Sequence, residues 1–346
     1  MPMQENLTEI SDFILKHVEE HPNDIVSLVS DNFGLSRQKA HLRVVKEVKR
    51  GKLIQAGRTR ATRYFRVGGK HIQFSVDLKP EPSEDKVWSD YVKPMLKEYT
   101  ENVRRIANYG FNEMLNNAID HSEGSSVWIS MKLEDNNLCI TLTDNGVGIF
   151  KKITKALKLP TEREAILHLS KGKFTTDPAK HTGQGIFFTS RMVGKFSILS
   201  DDLYYSFKGQ EWFLSPERQE SFGHGTLIRM EIPLDTRVMP NDVMSLYSDI
   251  ETGFHKTSVA VALSSNLNDP HNSRSQAKRL MMGLEKFTTV VLDFSDIKEV
   301  GQAFVDEVFR VFRNEHPGIR IEYINTSPEV DAMIKSGIAN AQTSSN

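Results

Sequence analysis

The sequence is short of several things at once. It has one cysteine in 346 residues, Cys139, which excludes an internal disulfide framework and a cysteine-rich zinc site and fits a reducing compartment. Cys139 lies in a strand-like run and reads as a small buried apolar residue rather than a nucleophile. No apolar run approaches the roughly 20 residues a bilayer requires, so no membrane association is expected. A basic-then-apolar leader is also missing, so the expected location is cytoplasmic. Net charge is nearly absent too, with 44 Lys and Arg against 45 Asp and Glu.

That balance hides an asymmetry. Residues 1–70 hold 13 Lys and Arg against 8 Asp and Glu, and residues 35–70 hold 12 against Glu47 alone. A basic first module on an otherwise acidic chain points to a polyanionic partner. LTEISDFILKHVEEH sets Leu7, Ile10, Ile14 and Val18 at helical spacing, with Thr8 or Ser11 as the cap. A short helix ends at Gly34, a third runs from Ser36 to Gly51, and KLIQAGRTRATRYFRV alternates as a hairpin. This order resembles a winged helix-turn-helix domain. The resemblance implies DNA binding, with Arg37, Gln38, Lys39, His41 and Arg43 of the third helix in the major groove and Arg58, Arg60 and Arg63 on the backbone or minor groove. A protein-docking module with a solvated basic face is the alternative.

Residues 71–86, with two prolines and several acidic residues, read as a linker. Beyond them, ENVRRIANYGFNEMLNNAIDHS is an amphipathic helix. Phe111, Leu115 and Ala118 share one face, and Glu113, Asn117 and Asp120 or His121 share the other. Adjacent asparagines are poor helix formers and an odd choice for a merely solvated face, so something is expected to bind there. Two strand-like runs follow, the second ending at Asp144 and delivering DNGVGIF. HTGQGIFF then opens a helix, and GHGT leads into a closing strand.

None of these boxes is specific alone. In this order they resemble the GHKL ATP-binding fold of gyrase-type, chaperone, histidine-kinase and mismatch-repair ATPases, over residues 87–235. The resemblance implies ATP with magnesium. It makes Asn117 the magnesium ligand, Glu113 the base that polarises a water or hydroxyl, and Asp144 the acceptor for the adenine amine, with Asp120 and His121 nearby. Gly146 and Gly148 would let the backbone pass the base, and Thr182, Gly183, Gly185 and Ile186 would present a helix N-terminus to the phosphates. Lys171, Lys173 or Lys180 of a mobile lid would reach the γ-phosphate, and the Thr226 hydroxyl would lie near the phosphates. The pairing of Glu113 and Asn117 with His121 is closest to the anti-sigma serine-kinase branch.

Residues 236–253 read as a second linker, and 254–341 alternate strand and helix. VVLDFSDIKEVGQAFVDEVFRVF resembles a STAS-like domain. Phosphorylatable members have a serine where this chain reads Val300-Gly301-Gln302-Ala303-Phe304, so docking to a protein partner or self-association is expected instead. The fold class expected is multidomain α+β: a winged helix, a GHKL α/β sandwich, then a small STAS-like α/β domain. The function expected is a nucleotide-switched DNA-binding regulator with slow ATP hydrolysis. An anti-sigma-type serine/threonine kinase and a non-hydrolysing ATP sensor are the alternatives.

Overall fold

The computed structural model describes residues 2–56, 62–66, 71–174, 182–208, 211–215, 224–264 and 272–343. Contacts divide the chain into two compact units, Met1–Val147 with Gly223–Arg237, and Gly148–Phe222 with Val238–Asn346.

The first unit opens with α1 (Pro2–His17), α2 (Ile25–Phe33) and α3 (Arg37–Lys49). α1 starts ahead of Thr8 and Ser11, which therefore lie inside it. Gly34 ends α2 at φ 60°, a left-handed turn that glycine adopts without strain. The Ser36 hydroxyl accepts a hydrogen bond from the Lys39 amide and so starts α3. The apolar stripes of the three helices close on Ile10, Ile14, Val18, Ile25, Val29, Ala40 and Val44. An antiparallel hairpin, β1 (Leu53–Ala56) with β2 (Arg63–Arg66), adds Leu53 and Tyr64 to that core.

The expected linker at 71–86 is in part a strand. HIQFSVD buries Ile72 and Phe74 and pairs along its whole length, as β3 (His71–Asp77), with β4 (Ser126–Glu134). The prolines and acidic residues that suggested a linker begin only after it, at the turn into α4 (Glu84–Val87). β1 and β2 both contact β3, so the three-helix module continues into the sheet. β5 (Asn137–Asp144) and β9 (Thr226–Pro233) extend that sheet antiparallel in the order β3-β4-β5-β9. α5 (Glu101–His121), started by the Thr100 hydroxyl, packs its buried face on β5 and β9.

The second unit holds α6 (Ile149–Leu157), α7 (Glu162–Lys171) and α8 (Gly185–Met192). A meander follows, β6 (Lys195–Ser200), β7 (Leu203–Lys208) and β8 (Glu211–Ser215). Residues 236–253, the second expected linker, contain α9 (Pro240–Tyr247), which buries Val243. A hairpin of β10 (Ser248–Asp249) and β11 (Gly253–Phe254) comes next. It leads to a parallel sheet of β12 (Lys256–Ala260), β13 (Thr289–Asp293) and β14 (Arg320–Ile324) in sequential order.

Parallel neighbours need crossovers. α10 (Arg274–Met281) supplies the first. The second is α11 (Gln302–Asp306), which runs through a wider turn at Glu307–Val311 into α12 (Phe312–Glu315). α13 (Pro328–Thr343) follows β14. α7 and α8 share a core with the C-terminal layer. Phe187 meets Tyr247 at 5.0 Å and Phe254 at 4.7 Å, and Phe254 meets Phe287 at 5.3 Å between ring centres.

Candidate functional site

α5 divides its faces as its spacing predicts. Phe111, Leu115 and Ala118 are buried, while Glu113, Asn117, Asp120 and His121 are half-buried. Glu113 and Asn117 stand one turn apart on the same face. The Asn117 side chain makes one long contact among the described residues, from Nδ2 to the Met114 sulfur at 4.0 Å. A neutral amide oxygen so placed suits a hard cation that arrives with phosphate and water oxygens of its own. The described residues contain no group of three or more His, Cys, Asp or Glu able to hold a metal unaided. One turn earlier, burial and then the Glu113 carboxylate hold the Tyr109 hydroxyl far above its usual pKa. Sequence reasoning missed this neighbour, since a tyrosine at helical spacing reads as core.

Asp144 ends β5 with 8 % of its surface exposed. Its Oδ1 accepts from the Gly146 amide at 2.8 Å and the Thr226 amide at 3.2 Å. Burial raises its pKa, while the donors at Gly146 and Thr226, including the Thr226 hydroxyl, pull it back down. Thr226 therefore bonds the carboxylate through both its amide and its hydroxyl.

The glycines around Asp144 have local reasons. A Cβ on Gly146 would stand 2.0 Å from the Ser122 carbonyl oxygen, and one on Gly225, at φ 120°, would stand 2.1 Å from that of Asp144. Gly146 is thus required by the end of α5 before any ligand is considered. Two residues that sequence reasoning passed over hold the turn. The Ser122 carbonyl accepts from the Val147 amide at 2.9 Å. The Asn145 Oδ1 accepts from the Ser125 and Ser126 amides at 2.9 and 3.1 Å, and its Nδ2 donates to the Ser125 hydroxyl. Their partners lie about twenty residues away, so the only sequence signal was the polarity of SEGSS.

In the second unit, Gly148 caps α6 at φ 84°. Thr182 is exposed, Gly185 opens α8, and Ile186 is half-buried. Gly183, at φ 69°, would bring a Cβ to 2.3 Å from the Phe174 carbonyl oxygen. The described lysines have other partners. Lys173 Nζ donates to the Lys286 carbonyl at 2.7 Å, and Lys171 Nζ donates to the carbonyls of Arg279 and Met282 at 3.1 and 2.8 Å. Lys180 lies outside the described residues.

On α3, Arg37, Gln38, Lys39 and His41 are exposed, and Arg43, like Arg63 on β2, is half-buried. Arg58 and Arg60 lie outside the described residues. Glu47, the one acid of the basic stretch, is only 3 % exposed and bonds Arg50 at 2.6 Å. Its charge is turned inward and does not dilute the face. Lys46 and Lys49 are exposed on the same helix and extend the basic set beyond the residues expected.

Residues 105–236 match the family described as histidine kinase-, DNA gyrase B-, and HSP90-like ATPase. Residues 276–331 match a STAS-like domain of unknown function (DUF4325). The chain therefore carries a GHKL-type ATPase domain, of a type that binds ATP, normally with magnesium, followed by a STAS-like domain. Comparison with curated proteins gives no match. Among the described residues no helix is long and apolar enough to cross a membrane.

Proposed function

We propose that the chain is a nucleotide-switched DNA-binding regulator. ATP binds with its adenine amine on Asp144 and its magnesium on Asn117, while Glu113 polarises a water for slow hydrolysis. Magnesium, when bound with ATP, shields the phosphate charge. The chain's own groups select the base and orient the water. Adenine offers a donor to the Asp144 carboxylate, whereas guanine offers a carbonyl that leaves both groups unpaired. Such a mismatch costs about 1–3 kcal/mol.

One observation carries the link to DNA. The three-helix and hairpin module, with its undiluted basic α3, belongs to the same compact unit as Glu113, Asn117 and Asp144. Its hairpin contacts β3 of their sheet. It reads as a winged helix-turn-helix module that binds phosphates through Arg37, Lys39, Arg43 and Arg63, with salt-dependent affinity. The STAS-like domain takes a protein partner or a second copy. The test is duplex DNA anisotropy without nucleotide, with ATP and with a non-hydrolysable analogue, at two salt concentrations. The expected result is a several-fold affinity change on nucleotide addition and weakening with salt. Affinities unmoved by nucleotide contradict the switch.

A second reading shares the same groups. The spacing of Glu113, Asn117 and His121 also supports an anti-sigma-type serine/threonine kinase. Free phosphate release by the purified protein supports hydrolysis, whereas transfer of the γ-phosphate to a protein, abolished by Glu113→Ala, supports the kinase. ATP binding without either supports a sensor.

A further inference from the structure

The junction of α7 with the C-terminal layer is built from groups that are costly to bury. Lys171 is 2 % exposed. A buried lysine amine is tolerated only when it is well bonded; burial lowers the pKa of this one to about 7, and it meets the carbonyls of Arg279 and Met282. Those carbonyls lie at the end of α10, where helical oxygens lack partners and the helix dipole is negative. The Lys171 carbonyl in turn accepts from the Thr257 hydroxyl on β12 at 2.7 Å. Gly172 follows at φ 75°, and a Cβ there would come within 2.8 Å of the Phe254 ring. Lys173 then bonds the Lys286 carbonyl and lies 4.6 Å from the centre of the Phe287 ring.

α8 is fastened in the same way. The Arg191 guanidinium stacks 3.5 Å from the Phe187 ring centre and donates to the Ser258 carbonyl on β12 at 3.0 Å. Lys171 at the end of α7, Lys173 two residues on, and Arg191 on α8 are all bonded to the C-terminal layer. A segment that opens and closes on its own would have no use for such bonds.

We propose that α7 and α8 are a fixed arm of the STAS-like domain rather than a free lid, with Lys171 as the fastener. Displacing either helix carries the C-terminal layer with it, and a protein seated on that layer holds the helices in place. The ATP reading enters only through what displaces the arm.

Amide hydrogen exchange on the full chain tests this, first without nucleotide. In the wild type, residues 162–173 and 274–286 open together. In Lys171→Met they lose protection together by about tenfold or more, the scale of a lost charge-assisted bond, while residues 25–49 stay unchanged. Thr257→Val, a gentler change, gives the same paired loss at about severalfold. Loss confined to 162–173, with 274–286 as in the wild type, overturns the proposal. In a second arm ATP is added to the wild type, with binding followed separately by calorimetry. Paired changes in the two segments on binding support the proposal, and a change in α7 alone overturns it. Absence of calorimetric binding counts against the ATP reading only, since the nucleotide-free arm still decides the fastener.

Discussion

The turns after Asp144 and after Lys171 each place a charged side chain beside a glycine at the end of a regular element, and they use the charge in opposite ways. Asp144 is held by donors of its own surroundings, the Gly146 amide and the amide and hydroxyl of Thr226. Lys171 is taken wholly inside by carbonyls more than a hundred residues away. A charge in the right motif order does not by itself make a ligand contact.

The largest expected effect lies on the Asp144 side. Glu113→Gln keeps the shape of α5 but removes the proposed base, so phosphate release should fall about a hundredfold or more while ATP affinity changes little. Single-turnover phosphate release alongside calorimetry checks both halves. Equal rates in the two proteins would move hydrolysis away from α5.

Two glycine substitutions sharpen the contrast in packing. Gly146→Ala sets a methyl 2.0 Å from a backbone oxygen and destabilises by about 3 kcal/mol. Gly172→Ala meets an aromatic ring, which can shift, at 2.8 Å with φ 75° and costs about 1–2 kcal/mol. Thermal unfolding followed by probes in each unit should give the larger drop for Gly146→Ala, and the reverse order would break the comparison.

A smaller effect sits one turn before Lys171. Burial first, then Lys171 and Lys286, lower the His168 pKa from 6.5 to about 4. The unfolded chain therefore binds a proton that the native chain refuses. The stability this contributes is fully present above pH 6.5 and is lost as pH falls toward about 4. His168→Phe should flatten that acid limb in equilibrium unfolding between those limits. An unchanged limb would assign it to other groups.

Much of the fold was legible because its signals are periodic. The two faces of α5 follow from Phe111, Leu115 and Ala118 against Glu113 and Asn117. The alternation of strand and helix after residue 254 is present as β12 to α13. β3 was hidden because prolines and acidic residues crowd the turn just behind it and dominate the local pattern. Ser122 and Asn145 were illegible for another reason. Small polar residues in a loop look alike until folding brings their partners close. Lys171 is the extreme case, since a lysine at a helix end is ordinarily solvated.

Calorimetric titration of magnesium ATP and magnesium GTP into the wild type, Asp144→Asn and Lys171→Met tests the central claim most directly. Wild type should prefer ATP by at least about tenfold, and Asp144→Asn should lose that preference. Lys171→Met should keep the wild-type ATP affinity to within about twofold. Equal affinity for the two nucleotides in the wild type, or a Lys171→Met protein that loses ATP while Asp144→Asn keeps it, would remove Asp144 from the base site.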